Sequence, residues 1–368
     1  MRLGRVDPGT STGILRIRSK THASSHFPSS MNLTFAPQRF HVGVWVFGLL
    51  SYVLYRGRVS ADRTYQALSY LSYFFFILCV LDVALFYWHA RRLVPLEPRA
   101  KGIAVVTGAS SGLGREIAFA LAEKGFNLVL VARTEATLAR IAKEMRDVLG
   151  VTAYVCPADL SSPESGVAAI EALLAKEEVE VDILVNCAGL GYQGAFHSQT
   201  RAHVHEMVSI NVTALVQLTH ALLPGMIARN RGRILNIASV SGASPMPTSA
   251  IYGATKAMVL RFSQSINYEV RRYNVGVTAL SPGPIPTAFQ EKCGTPQAVM
   301  FNVPMIAGDA KAAANTGVDA MLAGVETVYD SFTSEMMAFG ASTLGPKRIV
   351  AMMCHIMWNP PSEIPNAL

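Results

Sequence analysis

The clearest indication of the fold lies in residues 101–133, which read KGIAVVTGASSGLGREIAFALAEKGFNLVLVAR. A short apolar run at 103–107 leads directly into the glycine-rich sequence TGASSGLG at 107–114. A helical pattern then covers about 113–124, and a second apolar run spans 128–132. A strand, a tight turn, a helix and another strand in this order predict a βαβ unit with parallel strands.

The same alternation continues to about residue 330. Further strands are predicted at 152–156, 181–185, 233–238, 275–280 and 324–329. Further helices are predicted at 138–148, 167–175, 205–227 and 249–271. The strands are apolar throughout, which is typical of a parallel sheet covered by helices on both faces. The predicted fold class is therefore α/β, a doubly wound parallel sheet.

The amino-acid composition and the distribution of charge exclude several classes of protein. Hydrophobic residues make up 51% of the 368 residues and charged residues 15%, which excludes a chain disordered throughout. The net charge is +7, but the first hundred residues hold 12 of the 32 cations and only four of the 25 acids. The remainder is close to neutral, so the body has no basic excess for nucleic acid. Five scattered cysteines without a C-x-x-C pair predict neither a disulfide framework nor a metal site.

Four regions are predicted along the chain: a basic leader at 1–40, a hydrophobic anchor region at 41–95, the nucleotide-binding domain at 96–330 and a Met-rich apolar tail at 331–368. The leader fits a transit peptide, a basic tail or an extension ahead of a second start. Within the anchor region, the stretch at 67–88 makes a helix of about 33 Å, enough for a bilayer core. The stretch at 42–55 reaches only about 21 Å. The sequence thus predicts an N-terminal membrane-anchoring helical segment, and whether it contains one or two membrane helices is left open.

The glycine-rich turn predicts a dinucleotide site. Gly108 permits a tight turn, Gly112 lets the backbone approach a pyrophosphate, and Gly114 allows the helix to pack closely on the strand. The following helix N-terminus attracts phosphate charge. The second strand ends at Arg133 where an acid would hold the ribose of NAD, and a second arginine, Arg115, lies beside the turn. Arginine pairs well with a 2′-phosphate, so the predicted cofactor is NADP(H).

A second group of residues is a candidate for catalysis. Tyr252 and Lys256 share one helix face, where an ammonium is expected to lower the pKa of the phenol toward neutrality. Ser239 ends a strand and can hydrogen-bond a substrate carbonyl. Asn211 lies inside the long predicted helix, where it can hold a water near Lys256. Asp159, after the third strand, is placed to contact an adenine ring, although capping the next helix is the alternative.

These motifs together resemble the short-chain dehydrogenase/reductase family. The pattern is T-G-x-x-x-G-x-G, N-x-A-G at 186–189, Y-x-x-x-K at 252–256, and a P-G segment at 282–287. The resemblance implies a Rossmann-like sheet and hydride transfer by a catalytic set of Asn211, Ser239, Tyr252 and Lys256. The expected cofactor-binding residues are Gly108, Ser110, Ser111, Gly112, Leu113, Gly114, Arg133, Asp159, Asn186, Ala188, Gly189, Tyr252, Lys256, Pro282, Gly283, Ile285 and Thr287.

Three segments are expected to bind the substrate, at 190–196, 243–247 and 289–306. They contain the apolar or aromatic residues Tyr192, Met246, Phe289, Met300, Phe301 and Met305, which suit an acyl chain or sterol. In the tail, 349–358 is too short to span a bilayer. It fits an interfacial helix, a cover over the substrate mouth, or a helix packed on the domain or a dimer partner.

A membrane leader ahead of such a domain is similar to the microsomal members of the family. The resemblance implies an endoplasmic-reticulum membrane enzyme of lipid metabolism, with its catalytic domain in the cytosol. The expected reaction is hydride transfer from NADPH to a lipid-like carbonyl, of the 3-oxoacyl-CoA, ketosteroid or retinal class. The expected partners are this substrate and the membrane, with no nucleic acid, and a homodimer is left open. The alternatives are a non-catalytic nucleotide-binding scaffold and an NAD-dependent alcohol dehydrogenase of the same family.

Overall fold

A computed structural model describes residues 47–52, 63–90, 93–294, 298–301, 303, 306–344 and 346–359. The leader at 1–40, most of the apolar stretch at 42–55, and Met305 lie outside the described residues. The predictions made for them remain predictions.

Seven parallel strands form one sheet in the order β3-β2-β1-β4-β5-β6-β7. Their bounds are β1 Gly102–Thr107, β2 Asn127–Ala132, β3 Ala153–Pro157, β4 Glu180–Asn186, β5 Gly232–Ile237, β6 Val275–Ser281 and β7 Thr327–Tyr329. The strand order reverses between β1 and β4, where a crevice opens at the carboxyl ends of the strands. The predicted doubly wound parallel sheet is confirmed.

Eleven labelled α-helices occur among the described residues. They are α1 Arg63–Ala90, α2 Gly112–Glu123, α3 Glu135–Leu149, α4 Pro163–Lys176, α5 Arg201–Val208, α6 Leu215–Ala228, α7 Ala250–Val270, α8 Ala288–Lys292, α9 Ala310–Leu322, α10 Phe332–Phe339 and α11 Lys347–Trp358. Short 3₁₀ turns lie at Phe196–Ser198, Val240–Ala243, Arg271–Tyr273 and Val299–Phe301, and π-helical segments lie at Ser209–Ala214 and Gly340–Leu344. Residues 47–52 are also helical.

Successive side chains of each strand point to opposite faces of the sheet, so the core consists of two layers, one on each face. In β1, Ala104 and Val106 pack in one hydrophobic cluster with α2, α3 and α9. Ile103 and Val105 pack in the other, with α4, α6 and α7. Both faces of the sheet are therefore covered, which explains why its strands carry no alternation of polar and apolar residues.

The long helix predicted at 205–227 begins earlier and is not uniform. It starts at Arg201, because the Thr200 side chain accepts a hydrogen bond from His203 N at 3.1 Å and caps the helix. The π-helical segment Ser209–Ala214 then separates α5 from α6. The seventh strand is shorter than predicted, and α9 was not predicted. Four of the six buried residues of α9 are alanine or glycine, and the other two are Val318 and Met321, so few bulky apolar residues mark its buried face.

Residues 93–99 are fastened to the amino ends of the strands. The fully buried Arg233 donates from Nη2 to Val94 O at 2.7 Å. Arg99 makes two hydrogen bonds to Asp182, at 2.8 and 2.7 Å, and Arg231 Nε adds a third at 3.0 Å. Asp182 is only 1% exposed, so its carboxylate is removed from water, whereas both arginine side chains stay partly exposed. The chain thus enters the domain at the end of the sheet opposite the crevice.

Within the described residues, the helical run Arg201–Ala228 is the one that is long and apolar enough to cross a membrane. It contributes Leu218 and Met226 to the core beneath the sheet, which assigns it to the domain. A shorter apolar run, Gln66–Leu81, lies in α1.

Candidate active site

A cavity of about 320 Å³ opens at the carboxyl ends of the strands. The cavity is lined by the glycine-rich turn after β1 and by the predicted catalytic residues Ser239, Tyr252 and Lys256. The predicted site residues on its wall are Gly108, Ser110, Ser111, Gly112, Leu113, Gly114, Arg133, Asp159, Ala188, Gly189, Ser239, Tyr252, Lys256, Pro282, Gly283, Ile285 and Thr287. Two predicted residues, Asn186 and Asn211, are not on the wall.

The geometry of the glycine-rich turn fits a dinucleotide phosphate. Gly108 and Gly112 have φ of 69° and 54°, a conformation that favours glycine. A Cβ on Gly108 would lie 3.0 Å from Ala188 N, and one on Gly114 would collide with Gly108 O. Ser111 precedes α2, but its side chain caps no backbone N–H of that helix. The first turn of α2 therefore keeps its N–H groups for an anion at its N-terminus.

Thr107 and Asn186 support the cavity from below. The Thr107 hydroxyl donates to Val185 O at 3.1 Å and accepts from the backbone N–H groups of Cys187 and Ala188, both at 3.0 Å. These bonds join the ends of β1 and β4. Asn186 donates its amide hydrogens to Thr219 Oγ1 and Asn236 Oδ1 at 3.1 and 2.9 Å, so it braces the sheet away from the cavity.

The two arginines near the turn have different surroundings. Arg133 is exposed and lines the cavity after β2. Arg115 instead pairs with Glu116 at 3.1 Å and lies over the Phe119 ring, 4.7 Å from its centroid. Of the two, Arg133 is the one that lines the cavity, and a contact of either arginine with a 2′-phosphate stays a prediction. Asp159 also lines the cavity, and its carboxylate accepts from Ser161 N at 3.0 Å.

Ser239, Tyr252 and Lys256 meet in the buried part of the cavity. Tyr252 is hydrogen-bonded to Ser239. Lys256 Nζ donates to Ile237 O at 2.7 Å and lies 5.8 Å from the centroid of the Tyr252 ring. The i, i+4 spacing on α7 thus places phenol and amine on one face, as predicted.

The electrostatics of this group differ from the expectation. Burial raises the pKa of Tyr252 well above its ordinary value of 10, the neighbouring Cys293 acts in the same direction, and the bond with Ser239 opposes them. Burial lowers the pKa of Lys256 to about 8. Desolvation therefore outweighs any effect of the ammonium on the phenol. At neutral pH Tyr252 carries its proton, as a proton donor must.

Asn211 lies in the π-helical segment between α5 and α6 and is buried. Its Oδ1 accepts from Leu190 N at 2.9 Å, while its Nδ2 donates to Leu190 O at 2.8 Å and Thr255 Oγ1 at 3.1 Å. A Cβ on Gly189 would lie 3.2 Å from Asn211 Oδ1 and 3.6 Å from Lys256 Nζ. Asn211 therefore holds the backbone after β4 against α7, the helix that carries Tyr252 and Lys256.

The three predicted substrate segments converge on one apolar cluster beside Tyr252. Its buried members are Met207, Met246, Tyr252, Ala298, Met300 and Trp358, and its partly buried members include Leu190, Tyr192, Phe289 and Phe301. Trp358, at the end of α11, was not singled out from the sequence. The available signal was the apolar run after Gly345-Pro346, one interpretation of which was a cover over the substrate mouth.

Residues 102–298 match the family model described as short chain dehydrogenase, and the chain belongs to this family. This match confirms the resemblance that the motifs indicated. The protein is therefore an oxidoreductase of the short-chain dehydrogenase family. One curated relative is the very-long-chain 3-oxoacyl-CoA reductase of Laccaria bicolor, 41% identical over 181 residues, which are 48% of this chain and 53% of that protein. Another is the inactive hydroxysteroid dehydrogenase-like protein 1 of Pongo abelii, 32% identical over 198 residues, 52% of this chain and 59% of that protein.

The chain thus spans little more than half the length of these two curated relatives. Among solved structures, a short-chain dehydrogenase from Sphingobium yanoikuyae in complex with NADPH superposes with a TM-score of 0.58 and 31% identity. The match covers 64% of this chain and 90% of that one. An L-sorbose reductase from Gluconobacter frateurii, complexed with NADPH and L-sorbose, gives a TM-score of 0.57 at 29% identity, covering 64% and 95%. The expectation of NADP(H) agrees with both complexes.

Proposed function

We propose that the protein is a membrane-associated reductase that uses NADPH to reduce the carbonyl of a lipid-like substrate. One observation carries the proposal: Ser239, Tyr252 and Lys256 meet on the wall of a single cavity. That cavity has the glycine-rich phosphate turn at one end and the apolar cluster around Trp358 at the other. A nucleotide-binding scaffold would require neither the phenol nor the amine.

The chain's own residues supply binding, orientation and a proton. Bound NADPH supplies the hydride that forms the new C–H bond at the carbonyl carbon. Tyr252 Oη donates its proton to the carbonyl oxygen, and Ser239 Oγ hydrogen-bonds the same oxygen. Lys256, whose pKa is about 8, exchanges protons near neutral pH and resupplies the phenol. Asn211 fixes the backbone at Leu190 along the substrate side of this group.

Preference for NADPH over NADH rests on Arg133. It is the basic residue at the end of β2 that lines the cavity, and an exposed guanidinium can pair with a 2′-phosphate through two parallel hydrogen bonds. The glycine turn and the first turn of α2 would hold the pyrophosphate. Asp159 and Thr287 lie on the same wall, where they would contact the adenine and nicotinamide ends.

Membrane association is supported by the surface of α1. Apolar and aromatic side chains point outward on several sides of this helix, for example Tyr70 at 66% and Ile77 at 60% exposed. Among the α1 side chains that the structure describes, the buried ones are instead Ser69 and Ser72, and Ser72 Oγ shares a hydrogen bond of 2.5 Å with Ser51 Oγ in the helical stretch 47–52. Small polar residues inside and apolar residues outside are the pattern of helices packed in lipid. The location proposed is the endoplasmic-reticulum membrane with the domain in the cytosol.

The lipid-like substrate is supported by the apolar wall and by the name of the Laccaria relative, a very-long-chain 3-oxoacyl-CoA reductase. The test uses detergent-solubilised full-length protein and follows NADPH and NADH oxidation with 3-oxoacyl-CoAs, ketosteroids and retinal. Oxidation of NADPH by one of the three classes supports the proposal. Cofactor binding without turnover of any of them would favour the scaffold. Recovery of the full-length protein in the soluble fraction without detergent would contradict the membrane anchor.

A further inference from the structure

The end of α11 is locked onto the substrate side of the cavity. Gln193 Nε2 donates to Trp358 O at 3.0 Å and to Asn359 Oδ1 at 2.6 Å. Asn359 Nδ2 in turn donates to His355 O at 2.6 Å. Gln193 lies in the loop after β4, so these bonds join the C-terminal tail to the loop that borders the catalytic group. Trp358 therefore has a fixed position relative to Tyr252.

The indole of Trp358 is part of the cavity wall beside the proton donor. Its ring stacks on Tyr252 with the centroids 6.0 Å apart and an interplanar angle of 21°, and it packs against Phe301 at 6.2 Å. The residue is 5% exposed. Among the described residues, no atom accepts a hydrogen bond from Trp358 Nε1. A buried indole N–H normally has an acceptor, because burial removes its hydrogen bond to water and an unpaired donor has nothing to replace that bond.

The position of this donor separates it from the other unpaired polar atoms of the described residues. Gln199 Oε1 and Ser281 Oγ are also buried without a hydrogen-bond partner there, but neither residue lines the cavity. Trp358 does line it, together with Tyr252 and Ser239. The missing acceptor is therefore to be sought in the molecule that occupies the cavity.

We propose that Trp358 Nε1 donates a hydrogen bond to a second oxygen of the substrate, close to the carbonyl that Tyr252 protonates. This inference rests on the proposed reductase function and refines its substrate class. Because the two rings are stacked neighbours, the two donors can serve acceptors that lie only a few bonds apart. A 3-oxoacyl thioester has this arrangement, with one methylene between its two carbonyl groups. A simple ketone offers only one acceptor, so Trp358 would be a specificity-determining residue for 1,3-dicarbonyl substrates.

The test compares two substrates that differ in the second oxygen alone. One is a 3-oxoacyl thioester, and the other is the thioether of equal chain length in which CH₂ replaces the thioester carbonyl. Trp358→Phe keeps an aromatic ring in the stack but removes the N–H. Its kcat/KM for the thioester should fall roughly 3- to 10-fold, the effect of one neutral hydrogen bond. Its kcat/KM for the thioether should stay within a factor of about two of the unmodified protein's.

Phe301→Leu is the matched control, because Phe301 packs on the same indole and carries no donor. It should change kcat/KM for both substrates by the same factor. Equal losses on both substrates in Trp358→Phe would show a packing role and overturn this inference while leaving the reductase function standing. If the unmodified protein reduces neither substrate, this inference fails, and the assays with ketosteroids and retinal decide the reductase function separately. If Trp358→Phe does not fold, as judged by NADPH binding, the unmodified protein decides, and equal kcat/KM on the two substrates overturns the inference.

Discussion

Replacing Tyr252 with phenylalanine removes one oxygen atom from the centre of the proposed mechanism. The ring would remain between Phe289, whose centroid is 5.7 Å away, and Trp358 at 6.0 Å, so the packing of the apolar cluster is kept. The lost hydrogen bond with Ser239 costs about 1 kcal/mol of stability, or about 2–4 °C in Tm for a domain of this size. The variant should therefore fold.

The expected effect on catalysis is much larger than the effect on folding. Burial raises the pKa of Tyr252, so the phenol is protonated at neutral pH and is able to donate to the carbonyl oxygen as proposed. Loss of a general acid typically slows turnover about 10²- to 10⁴-fold, which corresponds to about 3–5 kcal/mol in the activation free energy. Affinity for NADPH should change little, because the turn from Gly108 to Gly114 is untouched.

The assay measures NADPH oxidation at saturating carbonyl substrate, with NADPH affinity from a fluorescence titration of the same sample. Tyr154→Phe is the matched control. Tyr154 is a partly buried phenol on β3 outside the cavity wall, and its loss should leave turnover unchanged. Near-normal turnover in Tyr252→Phe would refute the assignment of the proton donor. A parallel loss of NADPH binding would show instead that the substitution distorts the cofactor site.

Three further predictions follow from charged groups. Arg133→Asp should weaken NADPH binding about 10- to 100-fold while changing NADH binding little, as measured by titration; equal losses would contradict the 2′-phosphate contact. The pKa of Lys256 is lowered to about 8, so its charged form is lost as the pH rises through that value, and turnover should fall above about pH 8. Any activity left in Lys256→Arg should lack this fall, and a flat profile of the unmodified protein to pH 10 would exclude the role given to Lys256. Burial tends to raise the pKa of Asp182, but hydrogen bonds from Arg99 and Arg231 prevail and hold it below the ordinary 3.8. Its stabilisation is thus present above about pH 4 and is lost as the pH falls through the lowered pKa. Asp182→Ala should lower the free energy of unfolding by about 2–4 kcal/mol at pH 7 in urea titrations, and by less at pH 3.

The sequence predicted the sheet well because the strands of a covered parallel sheet are uninterrupted apolar runs. The turn after β1 was predictable because few residues other than glycine fit its backbone conformation. The prediction failed for α9, where four of the six buried residues are alanine or glycine and only Val318 and Met321 are larger. A Cβ on Gly317 would lie 2.7 Å from Leu280 Cδ2, so the helix approaches the sheet closely at this position. Amphipathic periodicity, the usual signal of a helix, is harder to recognise where most of the buried face consists of small residues.

The candidate site was predictable where it depends on local spacing. Tyr252 and Lys256 are four residues apart on one helix, and their shared face follows from that number alone. The direction of the pKa shift at Tyr252 was not predictable, because it depends on burial beneath residues far away in the chain. Trp358 is more than a hundred positions from Tyr252, and its place in the cavity wall depends on how Gln193 holds the tail.

The π-helical segment that carries Asn211 makes the site sensitive to chain length rather than only to residue type. Each residue of an α-helix turns the chain by about 100°. Wider winding at Ser209–Ala214 therefore accommodates residues that a regular helix would spread around its axis. Deleting Val212 would let the segment wind as an ordinary helix. The flanking helices would keep about the same rotational phase, but Asn211 would be presented differently to Leu190 and Thr255. Substitutions at Val212 should be tolerated much better than its removal, so insertions and deletions among homologues should be rare at this point of the long helix.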